Sequence, residues 1–464
     1  MNVSLFKRIP LHPFIMAIYP ILALWVSNLI KTPPWDAVRS ILFSLFMAGI
    51  SLVGLRWILR DWIKASLIVT LTQLLVFSYG HIYGIIEDIQ IASINIGRHR
   101  LLAGIWVVFL VLGIWWIIRR KESLANANQA INLIAIILII FPVIQAFQVQ
   151  ESQRNAARSL QTNTTQAQEV ALQLSNLSLG ETPPDIYYII LDAYTRDDTL
   201  STYFKYDNQP FIQALEQLGF FVARCSQSNY SKTQLSLASS LNMNYIDAFG
   251  LDERSVASET ELNLLLANNT VRQMLKRLGY QIVVVESGFS PTEWVNSDIY
   301  LSMNRDFGNE RTLIRGINPF EALLLRTSAG LLLFEIKPWL PYQVRSFLDT
   351  AYMQHRDRIL FAFSELETIP SIPGPKFVFV HMLAPHEPFV FGPHGEFVER
   401  QTPFALNNDA DTRDIKTYRR GYRDQVNYLN SRIAPVLAKI IETSSSPPII
   451  ILQGDHGSLL RASS

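Results

Sequence analysis

The stretch Pro-Asp-Ile-Tyr-Tyr-Ile-Ile-Leu-Asp at residues 184–192 decides the fold of the C-terminal part of this sequence. Its apolar run at 186–191 is β-branched and aromatic, does not alternate with polar residues, and stops at a carboxylate. Such runs are typical of strands buried on both faces of a sheet. A second run, at 449–452, leads into Gly-Asp-His-Gly at 454–457. The sequence therefore predicts buried strands that deliver polar groups to one edge of a sheet.

Two further apolar runs, at 282–285 and 377–380, are interpreted as strands in the same way. Helical patterns lie between the runs, at 209–218, 271–278 and 417–441. Short strands that alternate with helices predict an α/β domain around a mostly parallel sheet. In such sheets, ligands bind outside the carboxyl ends of the strands, so we expect the chemistry at that edge.

Several predicted strands are followed by side chains that bind metal ions. Asp192 follows the first strand and His381 the third, with His386 shortly after it. Asp455 and His456 follow the fourth. Carboxylate and imidazole together suit a divalent ion. Each residue alone has a simpler explanation, because an acid often caps a helix and a histidine often satisfies a buried hydrogen bond. Their recurrence at one predicted edge favours a metal site.

The N-terminal part of the chain carries nearly all of its long apolar runs. Several stretches reach the roughly 17–25 residues that a helix needs to cross a bilayer core. They lie at 11–30, 37–55, 65–84, 101–118 and 130–149. The loops on the same side as the N-terminus are richer in lysine and arginine than the alternate loops. We therefore expect about five transmembrane helices, a cytoplasmic N-terminus and an extracytoplasmic C-terminal part.

Composition suggests three parts. We expect a transmembrane helical domain at 1–149, a stalk rich in Gln, Asn, Ser and Thr at 150–182, and the α/β domain at 183–464. The formal net charge of +1 gives no indication of a nucleic-acid partner. The single cysteine, Cys225, allows no intrachain disulfide.

An interrupted apolar segment at 321–340 is too broken by charge to span a bilayer. One interpretation is an interfacial helix that holds Trp339 at the depth of the lipid headgroups. The other is a helix buried between the sheet and the stalk. The sequence leaves both open.

Three segments resemble the alkaline phosphatase superfamily: the strand that ends at Asp192, Pro-His-Glu-Pro at 385–388, and Gly-Asp-His-Gly at 454–457. Within it, the sequence is most similar to the membrane-anchored sulfatase-like hydrolases and transferases, which include lipoteichoic acid synthases and phosphoethanolamine transferases. The resemblance covers about residues 183–457, and a five-helix anchor also matches those relatives. Because such relatives continue well past the last motif, we expect the α/β domain to be truncated at its C-terminus.

The resemblance implies a nucleophile at the start of a helix between the first and second strands. Thr233, within Asn-Tyr-Ser-Lys-Thr at 229–233, takes that place, and Ser231 is its rival. The free amides and dipole of a helix N-terminus favour negative charge there. A formylglycine sulfatase is not a match, because Cys225 lacks the proline and arginine of the Cys-x-Pro-x-Arg motif.

The family's remaining groups carry over residue by residue. His386 is implied to contact the phosphate or the leaving group, and His381 is a ligand or supports one. Lys232, beside the nucleophile, is implied to neutralise phosphate charge. The implied ligands of a divalent ion (Zn²⁺, Mn²⁺ or Mg²⁺) are Asp192, Thr233, Asp455 and His456.

These residues imply an enzyme that transfers or hydrolyses a phosphoryl-type ester at the outer face of a membrane. The implied partner is a membrane lipid or a lipid-linked substrate, such as a lipid headgroup or an envelope glycan, and no protein partner is implied. Two alternatives stay open: a hydrolase of sulfuric or phosphate esters on the same site, and an inactive membrane-anchored binding or structural protein. The family places such proteins in the bacterial inner membrane.

Overall fold

The structure is a computed structural model of the 464-residue chain. The described residues are 9–29, 32–87, 89–91, 94–95, 97–162, 180, 183–251, 257–303, 316–405 and 414–458. The chain forms two compact units. The first comprises Met1–Gln150, Thr312–Ala351 and Arg400–Ala405. The second comprises Glu151–Arg311, Tyr352–Glu399 and Leu406–Ser464.

Apolar helices make up the N-terminal part of the first unit. They are α1 (His12–Val26), α2 (Trp35–Leu59), α3 (Trp62–Ile86), α4 (His99–Arg119) and α5 (Ala125–Thr162). Four of them, α2 to α5, are long and apolar enough to cross a membrane. A two-residue antiparallel pair, Gln90–Ile91 with Ile94–Asn95, lies between α3 and α4. The predicted apolar helices are thus present in the predicted order.

The first predicted span is shorter than the sequence indicates. α1 has 15 residues, whereas a bilayer core requires about 17 or more. The helix ends at Val26, and the polar side chains that follow it donate hydrogen bonds to carbonyl groups of its last turn. Ser27 Oγ donates to Ala23 O, and the side-chain amide of Asn28 donates to Leu24 O. Such side-chain hydrogen bonds compete with the backbone bonds that would continue the helix. The α-helical part of α1 is therefore shorter than the length that usually spans a bilayer.

A five-stranded parallel sheet forms the centre of the second unit. Its strands are β1 (Ile186–Leu191), β2 (Gln281–Val285), β3 (Ile299–Leu301), β4 (Lys376–Met382) and β5 (Ile449–Gln453). Their order is β3-β2-β4-β1-β5, and every neighbouring pair is parallel. The predicted α/β fold with a parallel sheet is confirmed. β3 was not predicted, because its apolar part is too short to stand out.

Burial differs between the centre and the edge of this sheet. β1, β2 and β4 are almost fully buried, as predicted. β5 instead exposes 48% of Ile449 and 45% of Ile451. Since β5 pairs with β1 alone among the described strands, it is an edge strand, and the prediction that both of its faces are buried is wrong.

Helices connect the strands and allow the parallel pairing, which needs a crossover between strands. They are α6 (Gln209–Gln217), α7 (Thr233–Asn242), α8 (Ala257–Ala267), α9 (Thr270–Arg277), α10 (Pro319–Thr327), α11 (Tyr342–Leu348), α12 (Thr350–Thr368) and α13 (Ile415–Thr443). Short helical turns lie at Asp197–Thr199, Leu200–Phe204, Ile246–Phe249, Ser290–Thr292, Ala329–Leu331, Leu332–Glu335, Lys337–Trp339 and Ile369–Ser371. The main core packs α7 and α8 on the sheet, with Leu237, Trp294 and Phe379 at its centre.

The interrupted apolar segment belongs to the first unit, with the membrane helices. α10 begins with a capping box in which Asn318 accepts from the Glu321 amide, while the Glu321 carboxylate accepts from the Asn318 amide. Phe320 is buried against Ile21 and Ala37 of α1 and α2.

The expected stalk at 150–182 lies mostly outside the described residues. α5 extends into its first part and ends at Thr162. The expected boundaries at 149 and 182 therefore stay predictions.

Candidate metal centre

The carboxyl edge of the sheet gathers the predicted metal-binding side chains. Asp192 follows β1 directly, His381 lies near the end of β4, and Asp455 follows β5 after Gly454. β1 lies between β4 and β5, and Ile190 of β1 is in register with His381 and with Gln453. Because these neighbouring strands are parallel, their carboxyl ends meet at one place.

These side chains form one buried cluster together with His456, which follows Asp455 directly. One ligand atom from each of Asp192, His381 and Asp455 lies within 4.8 Å of the other two. His381 Nε2 is 3.7 Å from Asp192 Oδ2. His456 Nε2 is 3.5 Å from Asp192 Oδ1 and 3.5 Å from Asp455 Oδ2. Asp192, His381 and Asp455 therefore lie close enough to share one ion, and the His456 ring lies beside both carboxylates.

The centre of the cluster lacks hydrogen-bond partners. Asp192 Oδ1, His381 Nε2 and Asp455 Oδ2 are buried and have no partner among the described residues. An unsatisfied buried polar group costs about 1–3 kcal/mol. Burial, and then the charge of Asp455, raise the pKa of Asp192 well above its usual range. A divalent cation would satisfy all three atoms and offset the charge, so the residues fit a metal ion.

Both imidazoles of the cluster present Nε2 as an acceptor. His456 Nδ1 lies 2.7 Å from the carbonyl oxygen of Gly457. A carbonyl only accepts, so Nδ1 carries the proton and Nε2 keeps its lone pair. Burial lowers the pKa of His381 to about 4, so its ring is neutral near pH 7. A neutral ring with one bonded nitrogen is the usual form of a metal-binding histidine.

A short network fixes the ring of His381. Thr292 Oγ1 lies 3.1 Å from His381 Nδ1 and donates to Phe289 O over 3.1 Å. Ser287 Oγ, 3.0 Å from Thr292 Oγ1, donates to the Glu293 carboxylate over 3.1 Å. Each hydroxyl has one proton, so Thr292 is left to accept from Nδ1–H. Thr292 thereby directs His381 Nε2 into the cluster.

Replacement of Thr292 tests this network. Thr292→Val removes the acceptor for Nδ1–H at nearly constant volume, and we expect divalent-ion affinity to fall about tenfold, in the range for lost hydrogen bonds to metal-binding histidines. The measurement is calorimetric titration of the metal-free protein with Zn²⁺. Thr292→Ser keeps the hydroxyl and should bind like the wild type. Equal affinity of all three proteins would show that Thr292 does not orient His381.

The proposed nucleophile lies beside the cluster. α7 begins at Thr233, and Thr233 Oγ1 is 3.2 Å from His456 Nε2. Ser236, one turn further along α7, donates to Asp455 O over 2.5 Å and ties the helix to the Asp455 loop. The side chains of Ser231 and Lys232 are exposed, whereas Thr233 is half-buried. The structure therefore brings Thr233, and neither of those neighbours, against the buried cluster.

His386 lies next to the cluster without joining it. Its ring centroid is 6.2 Å from that of His456. Its Nδ1 is 2.6 Å from Glu387 O, and its amide donates to Asp192 O over 3.0 Å. This position suits contact with a bound ester more than coordination of the same ion.

Several supporting residues were not predicted from the sequence. Tyr422 donates to Ala193 O over 2.7 Å and accepts from the Thr195 amide over 3.0 Å, which fixes the turn after Asp192. Glu387 is buried beside the cluster, and its charge adds to the rise in the pKa of Asp192. Tyr418 donates to Glu387 over 3.4 Å. The sequence contained a signal for the two tyrosines. Tyr418 and Tyr422 are four residues apart, so they lie on the same face of a helix.

Gly454 is required by a close backbone approach. A Cβ atom at this position would lie 2.3 Å from Tyr194 O, and a non-bonded contact of that length is a steric clash. The glycine therefore lets the Asp455 loop pass directly over the turn that follows Asp192.

Fold and site together define a class: a membrane protein of apolar helices with a parallel-sheet α/β domain and a candidate divalent-metal centre. This architecture fits the resemblance seen in the sequence. No protein-family model matches the chain, and no curated protein matches it.

Among solved structures, the chain is similar to the integral membrane protein lipooligosaccharide phosphoethanolamine transferase A (EptA) from Neisseria meningitidis. The match has 13% sequence identity and a TM-score of 0.33, and it covers 99% of this chain and 83% of that chain. EptA is by name a phosphoethanolamine transferase, one of the classes that the sequence resembles. A similarity at this level does not assign an activity.

Proposed function

We propose that this protein is a divalent-metal-dependent enzyme of the alkaline phosphatase superfamily that transfers or hydrolyses a phosphoryl-type group. Its substrate is a lipid headgroup or a membrane-linked glycan, and its nucleophile is Thr233. The observation that carries the proposal is the position of the Thr233 hydroxyl, 3.2 Å from His456 Nε2, against a buried cluster with unpaired ligand atoms.

The residues that would hold the ion are Asp192, Asp455 and His456, with His381 as a further ligand and Thr233 at its border. A divalent ion bound there would lower the pKa of a hydroxyl and offset the charge of a phosphate. The first turn of α7 supports this effect, because its free amides and dipole stabilise negative charge near Thr233.

The reaction begins with attack of Thr233 Oγ1 on phosphorus. A Thr233–phosphorus ester forms and the bond to the leaving alcohol breaks, while the Thr233 proton passes to solvent water. His386 in its protonated form donates from Nε2 to the leaving oxygen, since Nδ1 already donates to Glu387 O. Neutral His386 then takes the proton of a water molecule or an acceptor hydroxyl, whose oxygen attacks the same phosphorus. The bond from phosphorus to Thr233 Oγ1 breaks, and Thr233 regains a proton from solvent. The protein is a transferase if the acceptor is a hydroxyl group and a hydrolase if the acceptor is water. Hydrolysis of a phosphate ester would use the same side chains, Thr233 and His386.

The membrane helices support a membrane-bound substrate. We propose that α1 crosses the bilayer together with α2 to α5, so that a cytoplasmic N-terminus, as the basic loops favour, puts the α/β domain at the outer face of the membrane. We propose the bacterial inner membrane as the location. An inactive binding protein is the weaker candidate, because it would have no need for three unpaired ligand atoms in a buried cluster.

Peptide mass spectrometry tests the proposal. The full chain, loaded with Zn²⁺ or Mn²⁺, is incubated with vesicles of mixed phospholipids and digested. We expect an adduct on the peptide that contains Thr233, and its mass would distinguish phosphate, phosphoethanolamine and phosphoglycerol. An adduct on Ser231, or turnover of substrate by a protein that is never modified, would contradict Thr233 as the nucleophile.

A further inference from the structure

The segment between β3 and β4 is tied to the membrane helices. Arg39 of α2 forms an ion pair with Glu321 of α10 and donates to Gly316 O. The side-chain amide of Asn318 donates to Asp36 O over 3.1 Å. A charged pair and a half-buried helix cap therefore hold α10 at the start of α2.

Close packing continues on the neighbouring helices. A Cβ atom on Gly80 of α3 would lie 2.2 Å from Arg326 O, so the end of α10 rests directly on the α3 backbone. Leu324, Trp25 of α1 and Phe77 of α3 all pack against the buried cluster that contains Phe320. Glu335 Oε1 lies 3.5 Å from His99 Nε2 at the start of α4. The segment thus contacts four successive membrane helices.

These contacts all lie at the same end of the bundle. They involve the C-terminal parts of α1 and α3 and the N-terminal parts of α2 and α4. Helices that cross in alternate directions place these parts on one side of a bilayer. The segment therefore lies at the depth where the apolar core meets the headgroups.

The outer surface of the segment is apolar. Trp339 is 77% exposed and Tyr342 is 71% exposed. The other large exposed apolar side chains of the segment are Leu333, Ile336, Val344 and Phe347. Exposed apolar patches of this kind mark contact surfaces, and Trp and Tyr are the residues enriched at bilayer interfaces.

The one lysine among the described residues of this segment is turned inward, whereas Glu335 is exposed. Lys337 is fully buried, and its Nζ lies 2.6 Å from Asp349 Oδ1 and 2.5 Å from Arg400 O. A lysine between Ile336 and Trp339 would ordinarily extend into water, because burial of its charge is costly. Here the charge is satisfied inside while its apolar neighbours face outward, which is the arrangement of a surface in contact with lipid.

We propose that residues 329–347 form a membrane-interface anchor, whose exposed apolar side chains insert among the headgroups and upper acyl chains of the bilayer. The bilayer is the occupant because the patch continues the lipid-facing surface of the helices it packs on, where Trp35 at the start of α2 is also exposed. The proposal does not depend on the reaction proposed above.

Fluorescence quenching on the full chain tests the anchor. The single cysteine, Cys225, is exposed and is replaced in Cys225→Ser. Trp339→Cys, and separately Tyr342→Cys, are labelled with an NBD fluorophore in phosphatidylcholine vesicles that contain doxyl-labelled phosphatidylcholine. Phe109→Cys on the lipid-facing side of α4 is the membrane control, and Lys439→Cys on exposed α13 is the aqueous control.

We expect the doxyl lipid to quench the labels at 339 and 342 at least about twofold more than the label at 439, with protection from iodide, as for side chains at the headgroup boundary. Iodide quenching equal to that at 439 would show that the segment faces water and would overturn the proposal. Protection from both quenchers would show that protein covers the patch, a second copy or another chain, and would equally overturn it.

Discussion

Asp455→Asn is expected to abolish tight binding of a divalent ion and to lower turnover about 10³-fold or more, since a metal Lewis acid supplies several kcal/mol of transition-state stabilisation. Asp455 Oδ1 accepts from the Ala193 amide over 2.9 Å, whereas Oδ2 is buried and unpaired in the cluster. In the variant, the asparagine oxygen can keep the bond to Ala193. Its NH₂ group then occupies the position of Oδ2, where it repels a cation.

The measurement is the metal content of the purified protein, with turnover in parallel. Asp197→Asn is the matched control, since Asp197 is an acid of the same unit that pairs with Arg224 at the surface. It should leave metal content unchanged. Asp455→Asn protein with a full complement of metal would remove Asp455 from the ligand set.

Thermal unfolding separates loss of the ion from damage to the fold. Burial and Asp455 raise the pKa of Asp192 in the folded protein above its value in the unfolded chain. Metal-free wild type should therefore lose stability as pH rises from below the ordinary carboxyl pKa of about 4 through the raised value. Removal of the Asp455 charge lessens this loss. Metal-free Asp455→Asn should thus unfold no earlier than metal-free wild type, and only the wild type should gain stability from added metal.

The sheet was predictable because its signal is local. β1, β4 and β5 are apolar runs that stop at Asp192, at His381 and before Asp455, and parallel pairing brings such ends together. β3 could not be predicted, since residues 299–301 are too few to show a period. The packing of α10 on the apolar helices of the first unit could not be predicted from the sequence either. Its ion pair joins Arg39 to Glu321 across 282 positions, and periodicity carries no information about partners so distant.

For the candidate site, residue types were predictable and geometry was not. The sequence left Thr233 and Ser231 as rivals, because a shift of two residues in a helix start exchanges them. The structure starts α7 at Thr233 and exposes Ser231. Thr292 had no signal in the sequence, since a threonine in a short helical turn belongs to no motif, yet its hydroxyl lies 3.1 Å from His381 Nδ1. The catalytic and ligand roles of these residues remain predictions.

Thr233→Ala should lower turnover about 10³-fold or more and remove the covalent adduct, because loss of a nucleophile leaves only the catalysis by binding and charge. The fold should persist, since Thr233 is a half-buried residue in the first turn of α7 and alanine is a good helix former. Metal content should fall less than in Asp455→Asn, because the two carboxylates and two imidazoles of the cluster remain. The measurement pairs turnover with peptide mass spectrometry.

Two further variants decide between the hydroxyls. Thr233→Ser keeps a hydroxyl at the same place and should regain part of the turnover together with an adduct on residue 233. Ser231→Ala should behave as wild type, since the exposed Ser231 side chain lies away from the buried cluster. If Thr233→Ala keeps its turnover while Ser231→Ala loses it, the nucleophile is Ser231. The start of α7 would then have to lie two residues earlier in the working enzyme, so the same experiment tests the position of the helix as well as the chemistry.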